Sequence, residues 1–324
     1  MFEKLVWRKD RMLLDDLVFR LEHYKDDDWE LGDDCFIFFK TKPMVDLYAK
    51  FWSLNKDFHP QNILELGMWD GGSVAFWFEC FQPQKHVGLD IQRKQDSRYF
   101  RQYVTSRGLE ERIKTYWTTD QADSKKLREI VENEFSGPFD LVIDDASHMY
   151  ELTKTSFETL FPLLRPGGLY VIEDWPWAHW KEFQAPDHPW AAETELTRLI
   201  FELVEATGSS PALIANLTIT GGFAVVERGT IGSAELGEFK IEKYISKRPL
   251  DHQAHADVSE RASDSGSLDA RASLAQGRDV VRRILSTVYS SRPWRIAEKV
   301  PGVSQLAKAA GMWLVGAPEK PKNL

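Results

Sequence analysis

Acidic residues and one histidine follow two apolar runs of the sequence, and together they could handle a cation and a proton. They are Asp144, Asp145 and His148 after the first run, and Glu173 and Asp174 after the second. Three carboxylates with room for water suit Mg²⁺ better than zinc. We therefore predict a Mg²⁺ site formed by Asp145, Glu173 and Asp174. His148 is placed to remove a proton from a hydroxyl held beside that cation, so His148 and Asp145 are the predicted catalytic residues.

This interpretation depends on the two runs being adjacent parallel strands, whose carboxyl ends meet at one edge of a sheet. Without a cation, carboxylates gathered there would repel one another and raise their own pKa values. The alternative is that the acids are helix caps or solvated turn residues and that the histidine is structural. Whether Asp144 or Asp145 is the first cation ligand stays open from the residues alone.

A glycine-containing loop lies further towards the N-terminus, between a short apolar run and an amphipathic stretch. The segment 65–73 reads Glu-Leu-Gly-Met-Trp-Asp-Gly-Gly-Ser. Glycines allow a sharp turn and a close approach to a ligand, and the N-terminus of the following helix favours a carboxylate. The ligand-binding residues predicted in this loop are Glu65, Gly67, Trp69, Gly71 and Ser73.

Polar residues after later strands complete the predicted ligand site. Asp90 ends the second run and could accept ribose hydroxyls. Asp120 and Gln121 follow the third run, where a base could be held, and Asp144 follows the fourth. The dinucleotide-binding glycine rhythm is a competing interpretation, but Trp69 stands where that rhythm needs its second glycine.

The elements that must position these residues alternate between two patterns. Short apolar runs lie at 63–66, 86–90, 113–116, 139–143 and 169–172, and amphipathic stretches lie near 73–80, 97–107, 123–134 and 150–164. A further helix near 195–204 precedes a hairpin over 213–218 and 223–226. The alternation predicts an α/β fold with a parallel sheet that is covered on both faces and finished by an antiparallel hairpin. Residues 1–58 are predicted to be mainly helical.

The motifs resemble those of a known group of enzymes. The segments 65–73, 119–121, 143–148 and 161–174 are similar to the macrolide-sugar O-methyltransferases, typified by the mycinamicin enzymes, and to the rhamnosyl O-methyltransferase and cephalosporin hydroxylase-like proteins. The resemblance covers roughly residues 55–230 and is most specific over 140–175. It implies a Rossmann-like, seven-stranded class I methyltransferase fold with S-adenosylmethionine and Mg²⁺ as cofactors.

The resemblance also implies methylation of a sugar hydroxyl, with His148 as the general base and Asp145, Glu173 and Asp174 as cation ligands. The spacing between Asp145 and His148 matches the family pattern, which favours Asp145 over Asp144 as the first ligand. The expected acceptor is a glycan or a glycosylated metabolite. Four tryptophans after the fifth strand could stack on a sugar or could simply anchor a long loop. They are Trp175, Trp177, Trp180 and Trp190.

Four segments are predicted along the 324 residues. A helical extension over 1–58 precedes a methyltransferase domain over 59–245, a flexible linker over 246–278 and a basic amphipathic tail over 279–324. The tail is compatible with a docking helix or a contact with a membrane surface, and the chain with a homo-oligomer.

Composition narrows the class of protein. The formal charge of −9 argues against a nucleic-acid partner. Two cysteines, Cys35 and Cys80, provide no disulfide framework. Because no signal peptide or membrane-spanning run is evident, a cytoplasmic protein is expected.

Two other functions compete with the enzyme that the resemblance implies. One is a nucleotide-dependent oxidoreductase on a similar sheet, against which Trp69 argues. The other is a non-catalytic module with a methyltransferase fold that binds a partner through the tail.

Overall fold

A computed structural model describes residues 2–8, 11–21, 34–93 and 95–247. The strands are β1 Leu5–Trp7, β2 Arg11–Leu14, β3 Leu17–Leu21, β4 Phe36–Phe38, β5 Asn62–Leu66, β6 Lys85–Asp90, β7 Ile113–Trp117, β8 Phe139–Asp144, β9 Leu164–Glu173, β10 Ile214–Ile219 and β11 Phe223–Arg228. The α-helices are α1 Lys42–Leu54, α2 Gly72–Phe81, α3 Arg98–Ser106, α4 Ser124–Glu134, α5 Tyr150–Leu160, α6 Thr197–Ser209 and α7 Ser233–Leu236. Short 3₁₀ turns lie at Phe2–Lys4, Phe161–Leu163, Trp177–His179, Lys181–Phe183 and Ile241–Tyr244.

The larger sheet has seven strands in the order β10-β11-β9-β8-β5-β6-β7. The pairs from β9 to β7 are parallel, whereas β11 pairs antiparallel with both β9 and β10. This confirms the prediction of a seven-stranded class I methyltransferase sheet with a terminal hairpin. The strand order reverses beside β5, so the crevice for a ligand lies at the carboxyl ends of β5 and β8.

Apolar side chains cover both faces of this sheet. Neighbouring residues of one strand point to opposite faces, so Leu64 and Val142 pack into one core with α4, α5 and α6, whereas Ile63 and Leu141 pack into the other with α1, α2 and α3. Strands that are buried on both faces read as continuous apolar runs, which is why the sequence predicted them well.

The structure corrects the predicted helical extension over residues 1–58. Among the described residues of that range, α1 is the only α-helix, and four strands before it form a second sheet in the order β1-β2-β3-β4, with β3 and β4 parallel. The physical reason is tertiary packing. Phe19 and Phe36 stack at 5.3 Å between centroids, and Phe38 packs on Phe76 of α2 at 4.9 Å. Strands of three to five residues carry too little periodicity to show this in advance.

The N-terminal sheet is joined directly to the loop between β5 and α2. The Ile37 amide donates a hydrogen bond to Asp70 Oδ2 at 3.0 Å. At Gly72 a Cβ would lie 2.1 Å from the Ile37 carbonyl oxygen, so glycine is needed for this approach. The contact fixes the position of the residues that follow β4.

The predicted tail over 279–324 lies outside the described residues, as does the predicted linker over 246–278 apart from its first two residues. Among the helices that the structure describes, none is both long and apolar enough to cross a membrane.

Candidate active site

A cavity of about 400 Å³ opens at the carboxyl ends of β5, β6, β8 and β9. Its walls come from three sources: the residues after β4, the loop after β5, and the ends of the later strands. The lining includes Phe39, Lys40, Gly67, Met68, Trp69, Ser73, Asp90, Ile91, Thr119, Asp120, Gln121, Asp145, His148, Leu152, Asp174 and Trp190. Most of the residues predicted from sequence therefore share one cavity.

The loop after β5 is held in a tight conformation. Gly67 has a φ of +81°, and a Cβ there would lie 2.1 Å from the carbonyl oxygen of Asp145. Asp90 Oδ2 accepts hydrogen bonds from the amides of Met68 and Trp69 at 3.1 and 2.8 Å. Asp90 Oδ1 accepts one from the Gln92 amide at 2.8 Å. Asp90 thus braces the loop and still lines the cavity, and its Oδ1 can accept one further hydrogen bond.

Gln121 and Asp144 form a buried hydrogen-bond network beside the cavity. Asp144 accepts hydrogen bonds from Tyr170 and Ser156 at 2.7 Å each and from Gln121 at 3.2 Å. Gln121 in turn accepts one from the Ser147 amide at 2.8 Å. Burial raises the pKa of Asp144, although both hydroxyl donors oppose this. Asp144 faces this network rather than the cavity and acts there by orienting Gln121.

Two other residues predicted to bind a ligand also lie off the cavity wall. Glu65 is fully buried within the sheet, where its Oε2 lies 3.1 Å from Nε2 of His86. Gly71 caps α2 in the left-handed conformation and packs against the ring of Phe100. Both residues support the loop on the side away from the cavity.

Asp145, His148 and Asp174 converge on one wall of the cavity. One ligand atom from each residue lies within 4.8 Å of the other two. His148 Nε2 is 3.9 Å from Asp145 Oδ1. Burial raises the pKa values of both carboxyl groups, and the charge of His148 opposes the shift in each.

Glu173 lies directly behind this group and is almost completely buried. Its Oε1 accepts a hydrogen bond from Tyr48 and its Oε2 one from Lys40, both at 2.7 Å. The Lys40 ammonium also contacts Asp145 Oδ2 at 2.7 Å. Burial and the charge of Asp145 raise the pKa of Glu173 to about 7, against the lowering effect of Lys40 and Tyr48. Both oxygens of Glu173 are therefore engaged by residues of the N-terminal segment.

The donor set fits a hard divalent cation. Asp145 Oδ1 and the Asp174 carboxylate face the cavity, and Mg²⁺ in proteins is usually held by one or two carboxylates together with waters. Cations also relieve the repulsion between buried carboxylates. The role of Glu173 as a direct ligand stays a prediction.

The raised pKa of Glu173 predicts a pH-dependent stability in protein freed of divalent cations by chelation. Between about pH 4.5 and 7 the Glu173 carboxyl is protonated more in the folded protein than in the unfolded chain, so its contribution to the unfolding free energy falls as pH rises. We expect a loss on the order of 2–3 kcal/mol across this range, and little of it in a Glu173→Gln variant. Urea unfolding at a series of pH values measures this. Glu132→Gln, at an exposed position of α4, is the control and should retain the wild-type slope.

His148 is held in an unusual backbone conformation. Its φ is +58°, and Asp174 has a φ of +50°. Non-glycine residues in this region cluster at functional sites, because the surrounding contacts must hold them there. Here the Trp177 indole N–H donates to the carbonyl oxygen of His148 at 2.8 Å.

Trp177 should therefore position His148. In a Trp177→Phe variant we expect a roughly five- to tenfold lower kcat, as one hydrogen bond contributes about 1 kcal/mol. Affinity for the cofactor should be unchanged. Steady-state kinetics and calorimetry separate the two effects. Trp117→Phe loses a comparable indole hydrogen bond, to Asp96, away from this wall and should retain full turnover.

The aromatic segment after β9 mainly packs on itself. Trp177 contacts Trp190 at 5.1 Å, and Phe183 contacts Trp190 at 5.2 Å. Trp175 donates to the Thr220 carbonyl oxygen at 3.0 Å. Of the four tryptophans singled out by sequence, only Trp190 lines the described cavity.

Sequence reasoning missed Phe39, Lys40 and Tyr48. The apolar run 36–39 was visible, and Lys40 directly follows it, which is the same strand-end position that marked Asp145 and Asp174. Because residues 1–58 were predicted to be helical, Lys40 was not recognised as a residue at the end of a strand.

Comparison with known proteins agrees with this geometry. Residues 64–175 match a protein family described as a methyltransferase domain. The chain carries a methyltransferase domain. The matched segment contains the loop after β5, Gln121, and the three residues Asp145, His148 and Asp174.

The relatives of this domain are O-methyltransferases. Demethylmacrocin O-methyltransferase of Streptomyces fradiae is 35% identical over 187 residues, which are 52% of this chain and 44% of the relative. Mycinamicin VI 2''-O-methyltransferase of Micromonospora griseorubida is 37% identical over 160 residues, 47% of this chain and 37% of the relative. The solved structure of MycE methyltransferase with Mg, SAH and mycinamycin VI is 34% identical, with a TM-score of 0.43, and the match covers 56% of this chain and 49% of MycE. The domain thus spans less than half of these relatives.

Proposed function

We propose that the chain is an O-methyltransferase that moves a methyl group from S-adenosylmethionine to a sugar hydroxyl of a glycosylated small molecule. One observation carries the proposal. The same cavity joins the loop after β5 to the group formed by Asp145, His148 and Asp174. The sequence similarity to sugar O-methyltransferases supports the same conclusion.

The cofactor end of the cavity suits an adenosyl amino acid. The N-terminus of α2 favours the carboxylate of the methionine moiety. Asp90 Oδ1 can accept one hydrogen bond from a ribose hydroxyl, and Asp120, Gln121 and Ile91 would surround the base. When bound, S-adenosylmethionine supplies an electrophilic methyl group on a sulfonium. The loop residues orient it for in-line displacement, where orientation contributes much of the rate.

At the other end, Asp145 and Asp174 would hold Mg²⁺, with Glu173 behind them. The cation, when bound, lowers the pKa of a neighbouring hydroxyl. His148 accepts the proton of the acceptor hydroxyl, and the hydroxyl oxygen attacks the methyl carbon while the bond from that carbon to sulfur breaks, so that S-adenosylhomocysteine leaves with the electron pair. The Trp177 hydrogen bond holds His148 in place for this transfer.

The acceptor side is apolar with isolated polar groups. Trp190 forms part of the wall, and Leu152 also lines the cavity and is 37% exposed. An indole face packs on the C–H face of a sugar, and exposed aliphatic side chains suit an apolar aglycone. A glycosylated apolar metabolite therefore matches this surface.

Methyl transfer can be tested directly. The purified chain would be incubated with S-adenosylmethionine labelled in its methyl group, with Mg²⁺, and with macrolide and aromatic glycosides alongside their aglycones. We expect label in glycosides only, and none after chelation. Label in aglycones but not in glycosides would contradict the sugar acceptor.

A further inference from the structure

Lys40 places an ammonium group inside the acidic cluster. Its side chain is only 3% exposed, and Nζ lies 2.7 Å from both Asp145 Oδ2 and Glu173 Oε2. Two carboxylate oxygens at this distance favour the charged form of the Lys40 side chain, so an ammonium group lies at this site.

The fold holds this ammonium in place from both sides. β4 precedes Lys40 and is fixed through the hydrogen bond from Ile37 to Asp70. Thr41 follows Lys40 and caps α1, accepting from the Met44 amide at 3.4 Å. Lys40 has little freedom to withdraw, because the backbone on each side of it is anchored.

The charges of the cluster then decide how a divalent cation is bound. With Asp145, Glu173 and Asp174 ionised, the ammonium leaves a formal charge of two negative, which one divalent cation balances. Lys40 also engages the Glu173 oxygen that Tyr48 leaves free and the Asp145 oxygen that points away from His148. Asp145 Oδ1 and the oxygens of Asp174 are the ones that Lys40 does not engage.

We propose that Lys40 is a positioning residue that acts as a built-in counter-ion, competing with the divalent cation for Asp145 and Glu173 and so weakening cation binding at this group of carboxylates. A cation held by two carboxylates keeps coordination positions for water and for the acceptor. The inference rests on the cation site of the proposed function.

The test is calorimetric titration of the full chain with MgCl₂, without cofactor or acceptor. Lys40→Met and Lys40→Gln remove the charge, and Lys40→Arg keeps it. Lys42→Met is the matched control, because Lys42 is exposed and pairs only with the surface residue Asp46 among the ion pairs of the described chain. We expect both neutral variants to bind Mg²⁺ about tenfold more tightly or better, because a like charge no longer opposes the cation. Lys40→Arg and Lys42→Met should match the wild type.

Thermal melts give a second readout. In chelator the neutral variants should melt at lower temperature than the wild type, since their carboxylates have lost the counter-ion. Added Mg²⁺ should raise their melting temperature more than that of the wild type.

The outcomes are distinguishable. Equal or weaker Mg²⁺ binding in a folded neutral variant overturns the role of Lys40 but leaves the cation site intact. Arginine behaving like methionine would mean that packing, not charge, matters, and would also overturn it. If no variant and no wild-type protein binds Mg²⁺, both this inference and the cation part of the proposed function fail.

Discussion

A His148→Asn variant is expected to lose turnover by about 10²–10⁴-fold while binding S-adenosylhomocysteine with nearly wild-type affinity. The physical reason is that the acceptor hydroxyl loses the group that takes its proton, whereas the cofactor contacts on the loop after β5 are untouched. Asparagine is the appropriate replacement, because His148 has a φ of +58° and asparagine tolerates the left-handed region better than alanine.

The measurement is kcat from steady-state assays, together with calorimetric titration of cofactor binding. His59→Asn is the control, since His59 is exposed and away from the cavity lining. A His148→Asn enzyme with full kcat would show that another group, or solvent, accepts the proton. Parallel loss of cofactor affinity would instead point to a structural role for His148.

An Asp145→Asn variant is expected to bind Mg²⁺ roughly 100-fold more weakly or worse and to lose turnover with it. Removing a residue that only hydrogen-bonds to a metal ligand typically lowers metal affinity by about 10–100-fold. Removing a direct ligand should lower the affinity at least as much. The amide keeps the volume of the side chain but removes its charge and places a donor beside Lys40 or His148. Cofactor binding should persist, because the Asp145 backbone, whose amide donates a hydrogen bond to the Leu66 carbonyl oxygen at 2.9 Å, is unchanged by the substitution.

Magnesium calorimetry measures this effect, and Asp187→Asn at an exposed position is the control. Unchanged Mg²⁺ affinity in Asp145→Asn would remove Asp145 from the cation site and would favour Asp174 and Glu173 as the ligands.

Most of the site residues at the carboxyl ends of the strands could be predicted from the sequence. Asp145, Glu173 and Asp174 were expected to converge because parallel strands share an edge. The structure brings ligand atoms of Asp145, His148 and Asp174 within 4.8 Å of one another, with Glu173 bound to Lys40 directly behind them. Glu65 and Asp144 show the limit of that argument. A strand buried on both faces gives no polar alternation, so the sequence could not tell which acids face the cavity and which face the sheet interior.

The N-terminal contribution lay beyond sequence reasoning for another reason. Lys40 and Tyr48 reach Glu173 across 133 and 125 positions of the chain, and no local pattern encodes such a contact. It depends on the second sheet, whose short strands are specified by aromatic packing on α2 rather than by periodicity of their own. Part of the site thus comes from a segment outside the matched methyltransferase region.

Calorimetric titration with S-adenosylhomocysteine tests most directly whether the cavity binds S-adenosylmethionine for methyl transfer. NAD serves as the competing ligand, in Mg²⁺ and again after chelation. We predict micromolar binding of S-adenosylhomocysteine and no heat from NAD. Binding of NAD without S-adenosylhomocysteine, or of neither, would show that the cavity is not a site for S-adenosylmethionine.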